Sequence, residues 1–317
     1  MKQDSVTLKK YTGKVIGNFY RYIFLIAFSY ILLYPVIYII VNSLLGVSDY
    51  YDPTVEWVPK SITIDNFKLA MKAMDFTKSF INTLVYEIIA ALLEVCSCAV
   101  AAYGLARFNF KGKKLLYGLM ILTILVPIEM IIIPSYVNFR YLDFAGILGL
   151  ISKLVGTELR PSVLDTPLVF WLPSILGVGL KGGLFIYIYM QFFKGLPKEF
   201  EEAAWLDGAG PWKTFLRVII PSSSVPAITV LLFSAVWHWN DYYLAQMYLS
   251  ENFPLSVNLA NITELINSAI YGEASLKALT GPTIMAGCFL CIVPMLIFYL
   301  IFQKKFISSI ANSGIVG

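Results

Sequence analysis

Several ionisable residues of this sequence lie inside long apolar stretches, where they are candidates for a chemical role. Glu87 and Glu94 stand seven positions apart in one such stretch, which places them on nearly the same face of a helix. The single histidine, His238, lies in another. Charged groups are costly in an apolar interior and often mark a pathway there. Pairing between helices and a polar translocation cavity are both open interpretations.

Familiar catalytic patterns are absent from the sequence. It has no G-x-x-x-x-G-K-[ST] loop to hold nucleotide phosphates and no H-E-x-x-H spacing for a zinc protease. A Ser-His-Asp arrangement would have to use His238 within its apolar stretch. Cys288 and Cys291 have redox or metal spacing, but thiols in apolar stretches more commonly pack as small hydrophobic residues. The sequence therefore predicts a protein that is not an enzyme and binds no cofactor or metal.

The elements that carry these residues are predicted to be membrane spans. Of the 317 residues, 58% are hydrophobic and only 14% charged, against about 25% charged in soluble domains. A helix needs about 20 apolar residues to cross the hydrocarbon core. Six stretches approach that length, which predicts an all-α membrane protein with six transmembrane helices. They lie near Tyr22–Val41, Phe80–Ala106, Leu115–Val137, Leu168–Phe193, Val225–Leu249 and Pro282–Phe302. The fourth stretch is the weakest, because prolines and glycines interrupt it.

Lysine and arginine are distributed unevenly between the predicted connections, and this distribution indicates an orientation. The N-terminal segment carries five basic residues, the second connection is short with four basic and no acidic residues, and the fourth connection carries four basic residues, whereas the connections on the opposite side are longer and mix both signs of charge. By the positive-inside rule, both termini are predicted to be cytoplasmic. The predicted organisation is a cytoplasmic segment at 1–21, a transmembrane domain at 22–303 and a cytoplasmic tail at 304–317. The net charge of +4 follows this topology and does not indicate nucleic-acid binding.

A polar segment in the fourth connection, residues 195–221, is predicted to fold as two short helices. Pro197 suits a helix start, acidic residues follow it, and Gly208 is a natural C-terminal stop. Pro211 then begins a second helix. The predicted apolar faces are Leu196, Phe200, Ala203 and Ala204 in the first helix, and Trp212, Phe215, Leu216 and Ile219 in the second. The segment is either an interfacial amphipathic loop without a partner or a docking site.

The same segment resembles a known family. Glu202-Ala203-Ala204, Asp207-Gly208-Ala209 and Ile219-Ile220-Pro221 match the pattern E-A-A-x-x-D-G-A-x9-I-x-P of ABC import permeases in the carbohydrate branch, with Ile220 where leucine is usual. Further similar elements are Ala101–Phe108 followed by Phe110–Lys113, Trp239-Asn240-Asp241-Tyr242, and Phe302–Phe306. The last of these resembles the ending of the smaller permease of maltose importers. Residues 153–167 are longer than the family leads us to expect.

This resemblance implies a type I ABC importer permease with a cytoplasmic coupling helix-turn-helix. The implied coupling residues are Glu202, Ala203, Ala204, Asp207, Gly208 and Ala209, with Glu202 facing a basic residue of an ATPase subunit. The implied partners are two ABC ATPase subunits that bind ATP and magnesium, a second permease that forms a heterodimer with this chain, an extracytoplasmic solute-binding protein and membrane lipid. The implied location is the cell membrane of a prokaryote.

A substrate pathway for a sugar would combine polar side chains with aromatic rings that pack on the sugar ring. The candidates are Glu94, Glu129, Lys181, Trp239, Asn240, Asp241 and Tyr242. Lys181 is a natural ion-pair partner for Glu94 or Glu129. The alternatives are an ABC permease for amino acids or peptides, an ion-coupled secondary transporter that uses Glu94 or Glu129, and a membrane enzyme. The last is disfavoured by the missing catalytic motifs.

Overall fold

The computed structural model describes residues 2–55, 57–143, 146–271 and 280–313, and the regular structure in these ranges is almost wholly helical. One isolated antiparallel bridge joins Leu45 to Ile62. The helices, in chain order, are α1 (Lys2–Ser43), α2 (Val47–Tyr50), α3 (Asp65–Ala73), α4 (Phe76–Arg107), α5 (Lys113–Leu125), α6 (Ile128–Arg140), α7 (Ile147–Val155), α8 (Leu168–Ile175), α9 (Gly182–Gly195), α10 (Glu199–Leu206), α11 (Pro211–Ser222), α12 (Ser224–Trp239), α13 (Tyr243–Tyr248), α14 (Leu255–Ala260), α15 (Ile262–Tyr271) and α16 (Thr280–Ser313).

Three helices of the described ranges are long and apolar enough to cross a membrane alone. They are the Ile16–Ser43 part of α1, the whole of α4, and the Thr280–Lys304 part of α16. Two further pairs qualify only together, because α5 and α6 meet at a bend of 107° and α11 and α12 at a bend of 77°. Counting each bent pair as one span gives five spans, so the six-span count stays a prediction. The predicted all-helical membrane class is confirmed.

The breaks in the apolar stretches follow from local backbone chemistry. The third stretch bends at Val126 and Pro127, since a residue before proline is pushed out of the helical region, and Val126 has ψ 120°. The fourth stretch, the one that prolines and glycines interrupt, comprises two helices, α8 and α9. Between them, Gly177 and Lys181 adopt left-handed φ values of 71° and 68°. The predicted fourth span, Leu168–Phe193, is therefore broken at this link.

The contact pattern divides the chain into two compact units. The first comprises Met1–Ala70 and Ile266–Leu290, and the second comprises Met71–Leu265 and Cys291–Gly317. In the first unit the buried Asn66 donates hydrogen bonds from Nδ2 to the carbonyl oxygens of Ser43 and Leu45, at 3.0 and 2.8 Å. These bonds fix the chain where it leaves α1. The second unit contains the predicted coupling and pathway residues.

Both terminal segments continue a neighbouring span as helix. Helix α1 begins at Lys2, so the predicted segment 1–21 forms one helix with the first apolar stretch. Helix α16 likewise runs past the apolar stretch to Ser313 and includes most of the predicted tail. The last part of that tail, residues 314–317, lies outside the described residues.

Candidate functional site: a helix-turn-helix and a buried polar cluster

The segment 195–221, called the coupling loop below, forms the predicted pair of helices, α10 and α11. Gly208 ends the first helix with φ 78°, a conformation that costs glycine nothing. Its amide donates to the carbonyl of Trp205 at 3.0 Å, and the amide of Ala209 donates to the carbonyl of Ala204 at 2.9 Å. Pro211 then occupies the first turn of α11. The turn is therefore a glycine-terminated helix end followed at once by a new helix start.

The residues of the coupling motif lie on the outer side of this loop. Glu202, Ala203, Asp207 and Gly208 are exposed, and Ala204 and Ala209 are half-buried. Large apolar side chains surround them, with exposed fractions of 89% for Leu206 and 49% for Trp205. Small residues beside exposed apolar ones let a second surface approach closely. The loop thus presents a face with two acidic groups, Glu202 and Asp207, beside exposed apolar side chains.

The apolar face predicted for α10 is not the buried face of this helix. Phe200 is 48% exposed and Ala203 is exposed, whereas the acidic Glu201 is only 4% exposed. Burial of a carboxylate is tolerated where hydrogen bonds and an opposite charge meet it. Tyr103 and Arg107, at the end of α4, supply both to Glu201. Sequence periodicity missed this because it assigns every glutamate of an amphipathic helix to the solvent side.

The predicted face of α11 was half right. Phe215 and Ile219 are buried, with exposed fractions of 2% and 0%, but Trp212 and Leu216 are 62% and 59% exposed. The Phe215 ring lies 4.9 Å from that of Tyr103, centroid to centroid. The π-helical turn Phe215–Ile219 contributes the buried side of α11. The outward Trp212 and Leu216 extend the exposed apolar surround of the loop.

A buried polar cluster, comprising Glu87, Glu94, Ser234 and His238, joins α4 to α12. The His238 ring lies between two carboxylates, with Nδ1 at 3.1 Å from Glu87 Oε2 and Nε2 at 3.3 Å from Glu94 Oε2. Ser234 Oγ donates to the same Glu94 oxygen at 2.8 Å. Each ring nitrogen of His238 therefore faces a carboxylate oxygen of α4. Of the two interpretations left open by the sequence, the structure shows the pairing of these residues between helices.

Two irregular backbone segments accompany this cluster. Glu87 lies in the π-helical turn Leu84–Ile88 of α4, and such turns often occur at functional sites. Glu94 faces the link between α8 and α9, where a Cβ added to Gly179 would lie 2.8 Å from Glu94 Oε1. That oxygen and Glu87 Oε1 are buried and have no hydrogen-bond partner. The glycine at 179 is therefore required for the close approach of the link to Glu94.

Lys181 and Glu129 do not form the predicted ion pairs in the described part of the chain. Lys181 is exposed in the left-handed residue before α9, and Glu129 is exposed in the first turn of α6. Glu94 meets His238 instead. The error arose because spacing along the chain cannot tell which helices face each other. Lys181 does line a cavity of about 720 Å³ among α4, α5, α6 and α9, whose wall is otherwise mainly apolar.

The Trp239–Tyr242 element forms a helix end and not a set of side chains around one cavity. Trp239 is buried and donates from Nε1 to the carbonyl of Cys291 at 3.1 Å. Asn240 Nδ2 donates back to the carbonyl of Val236 at 2.7 Å, and Asp241 Oδ1 accepts from the amide of Leu244 at 3.2 Å. Tyr242 is half-buried. These side chains stabilise the corner between α12 and α13, and none of them lines the cavity that Lys181 borders.

Metal chemistry has no support among the residues that the structure describes, since no three His, Cys, Asp or Glu side chains there are grouped to hold an ion. Cys291 is buried and Cys288 half-buried, and no disulfide joins them. The arrangement as a whole comprises an exposed, partly apolar face on the coupling loop and a buried polar link between two helices. Neither is a catalytic centre.

Comparison with known proteins gives one family and many relatives. Residues 98–312 match the family model described as a binding-protein-dependent transport system inner membrane component. The chain is 28% identical to the trehalose transport system permease protein SugB of Mycobacterium tuberculosis, over 90% of this chain and 93% of that protein. It is 27% identical to the melibiose/raffinose/stachyose import permease protein MelC of Bacillus subtilis, over 89% and 91%.

A solved structure has the same fold. It is a bacterial ABC transporter involved in the import of the acidic polysaccharide alginate, with a TM-score of 0.68. The match covers 92% of this chain and 96% of the other, at 22% sequence identity. The fold of this chain is therefore similar to that of a chain of this transporter.

Proposed function

This chain belongs to the family of binding-protein-dependent transport system inner membrane components, and on that premise we propose that it carries a sugar or oligosaccharide across the membrane by alternating access. As a permease component it is not itself an ATPase. Hydrolysis of ATP, with its magnesium, takes place on partner subunits. The function proposed for the chain is to convert their closing and opening into movement of its spans.

The coupling loop is the observation that carries this proposal. An ATPase subunit needs a rigid, accessible feature to move, and α10 with α11 is both, because its inner side is packed and its outer side is exposed. Glu202 is the one acidic side chain of the E-A-A motif and is exposed. We assign it the contact with a basic residue of the ATPase. Exposed Trp205 and Leu206 supply the apolar part of that contact.

The partners follow from the family description. A binding-protein-dependent component works with an extracytoplasmic solute-binding protein and with ATPase subunits. The finer proposals are two copies of the ATPase and a second, different permease. For the coupling loop to reach the ATPases, it must be cytoplasmic, together with both termini. The basic residues near the loop, such as Lys194 and Lys198, support that orientation by the positive-inside rule.

The proposed substrate class rests on the relatives. Two permeases that match nine-tenths of this chain are named for trehalose and for melibiose, raffinose and stachyose. A small oligosaccharide of this kind is uncharged and rich in hydroxyl groups. Such a ligand does not need the buried charges of Glu87 and Glu94, which His238 already meets. We therefore place the sugar's path away from the buried polar cluster.

Purification of the tagged chain from its own host in mild detergent tests this function. We expect ATPase subunits, a second permease and a secreted binding protein to copurify, and mass spectrometry identifies them. The recovered binding protein is then screened by calorimetry against trehalose, raffinose, and an amino-acid mixture as the competing class. Binding of an amino acid, or recovery of the chain without an ATPase, would contradict the proposal.

A further inference from the structure

We propose that Tyr103 and Arg107 are positioning residues, which hold the coupling loop to the end of α4 through Glu201 so that the loop and this span move as one body. The proposal rests on the function proposed above. It adds three residues to the exposed coupling motif: Glu201 on the buried side of the loop, and Tyr103 and Arg107 of α4, which contact it. Glu201 and Glu202 are neighbours in sequence with opposite surroundings, one 4% exposed and the other exposed.

The first step is the set of contacts around Glu201. Tyr103 donates its hydroxyl to Glu201 Oε1 at 2.7 Å. Arg107 Nε lies 3.1 Å from Glu201 Oε2, an ion pair in which the N–H is not aimed at the oxygen. Arg107 Nη2 also donates to the carbonyl of Leu196 at 2.7 Å, just before α10. Both carboxylate oxygens of Glu201 and the residue that enters the loop are therefore held by one turn of α4.

The second step is burial. The Arg107 and Glu201 side chains are only 8% and 6% exposed, so water screens this pair little. An exposed ion pair contributes almost nothing to rigidity, but removal of one partner from a buried pair leaves the other charge uncompensated. The three exposed acids of the loop, Glu199, Glu202 and Asp207, have no ion-pair partner in the described structure. Glu201 is thus the acid on which the loop's position depends.

The third step is that Tyr103 contacts both helices of the loop. Its hydroxyl binds Glu201 of α10, while its ring lies 4.9 Å from the Phe215 ring of α11. The same ring is 6.0 Å from that of Phe193 near the end of α9. One side chain therefore joins four helices, α4, α9, α10 and α11. A displacement of the loop by an ATPase must displace Tyr103, or break these contacts.

The fourth step concerns the second polar attachment of α4, which lies away from the loop. The same helix carries Glu87 and Glu94, which bind His238 of α12 in the buried polar cluster. Helix α4 is continuous from Phe76 to Arg107, so its two polar attachments lie on one element. The loop therefore needs two different faces. Its outer face binds the ATPase, and its inner face binds α4. Glu202 serves the first, and Glu201 serves the second.

Hydrogen exchange of the full-length protein in lipid nanodiscs tests the proposal without any partner. Arg107→Gln and Glu201→Gln are each expected to speed the exchange of residues 199–206 by about tenfold or more, as loss of a buried charged partner implies. The double variant is expected to exchange more slowly than either single variant, because it leaves no unpaired charge. The matched control, Glu202→Gln, is expected to leave this exchange unchanged.

Two conservative variants separate positioning from general stability. Tyr103→Phe keeps the ring against Phe215 and removes only the hydroxyl, so faster exchange should be confined to α10 and spare α11. Arg107→Lys retains the charge and should restore part of the protection that Arg107→Gln loses. Uniformly faster exchange across the whole chain, or parental exchange in all these variants, would overturn the proposal.

Measurement on the assembled importer distinguishes this proposal from the proposed function. The Arg107→Gln variant should still copurify with the ATPase subunits. Its ATP hydrolysis should rise less than that of the parent when loaded binding protein is added. Glu202→Arg should instead lose the ATPase subunits. If Glu202→Arg fails in this way while Arg107→Gln stimulates normally, the positioning role alone is refuted. If Glu202→Arg retains a normal ATPase, the coupling function itself is refuted.

Discussion

Replacing His238 with leucine is predicted to destabilise the protein far more than its size change implies. Leucine fills a similar volume, so the main loss is the group that faces Glu87 and Glu94, both fully buried. Removing one partner of a buried charge pair costs about 3–5 kcal/mol, because the remaining charges are uncompensated. With roughly 2–4 °C per kcal/mol, the midpoint of thermal unfolding should fall by roughly 6–20 °C.

A buried cysteine of the chain, Cys98, provides the assay for this prediction. The Cys98 thiol is fully buried, so we expect it to react only after α4 separates from its neighbours. With the other three cysteines replaced by serine, a thiol-reactive dye reports unfolding at that position as temperature rises. The parent in the same background gives the reference midpoint.

A neutral background provides the decisive control. In Glu87→Gln/Glu94→Gln protein, His238→Leu leaves no buried charge, so its cost should be clearly smaller than in the parent. The difference between the two costs is the interaction energy of the cluster. Equal costs in both backgrounds, or a parental midpoint for His238→Leu alone, would refute the argument that this cluster holds α4 to α12 by charge.

Three further predictions concern separate parts of the structure. Gly208→Val forces a left-handed residue at φ 78° where nothing else obstructs the side chain, so about 1–2 kcal/mol of backbone strain should speed hydrogen exchange at the loop turn. Asn66→Ala removes two buried hydrogen bonds and should cost about 1–3 kcal/mol in thermal unfolding. The hydrogen bonds from Arg160 lower the pKa of Glu158 to about 2, so this ion pair should persist as pH falls through the ordinary glutamate value of 4.5 and be lost only as pH approaches 2. The ¹³C shift of the Glu158 carboxylate reports that titration.

The first two of these predictions have a control variant, and the third has a result that would contradict it. Gly210 has an ordinary φ of −75° and open space at its Cβ, so Gly210→Ala should not change exchange at the turn. Asn42 bonds an exposed carbonyl of its own helix, so Asn42→Ala should cost much less than Asn66→Ala. A Glu158 midpoint near 4.5, the ordinary value, would contradict the ion pair.

Local chemistry made the coupling loop predictable from sequence. Proline near a helix start and glycine at a helix end act within a few residues, so Gly208 and Pro211 specify the turn without help from the rest of the chain. Apolar length predicted α1, α4 and α16 in the same way. The bend at Pro127 also had a local signal, the proline itself, but a long apolar stretch is easily interpreted as one straight span.

The long-range pairs were not predictable from periodicity. Glu201 is turned inward by Arg107, a residue in a different helix far away in sequence, and a helical-wheel argument sees neither its partner nor its burial. The same limit applies to Glu94, which meets His238 and not Lys181. Trp239, Asn240 and Asp241 had the composition of a sugar site. Their side chains are used on nearby backbone groups, and composition cannot distinguish these two uses.

If an ATPase drives this chain through the exposed face of the coupling loop, a Glu202→Arg variant should lose its ATPase subunits. The tagged variant is purified from host membranes, and bound ATPase is quantified relative to the permease. A reversed charge at a docked carboxylate should reduce that ratio by about tenfold or more, with normal insertion of the chain. The same reversal at exposed Glu264 should leave it unchanged. A parental ATPase ratio in Glu202→Arg would contradict the account.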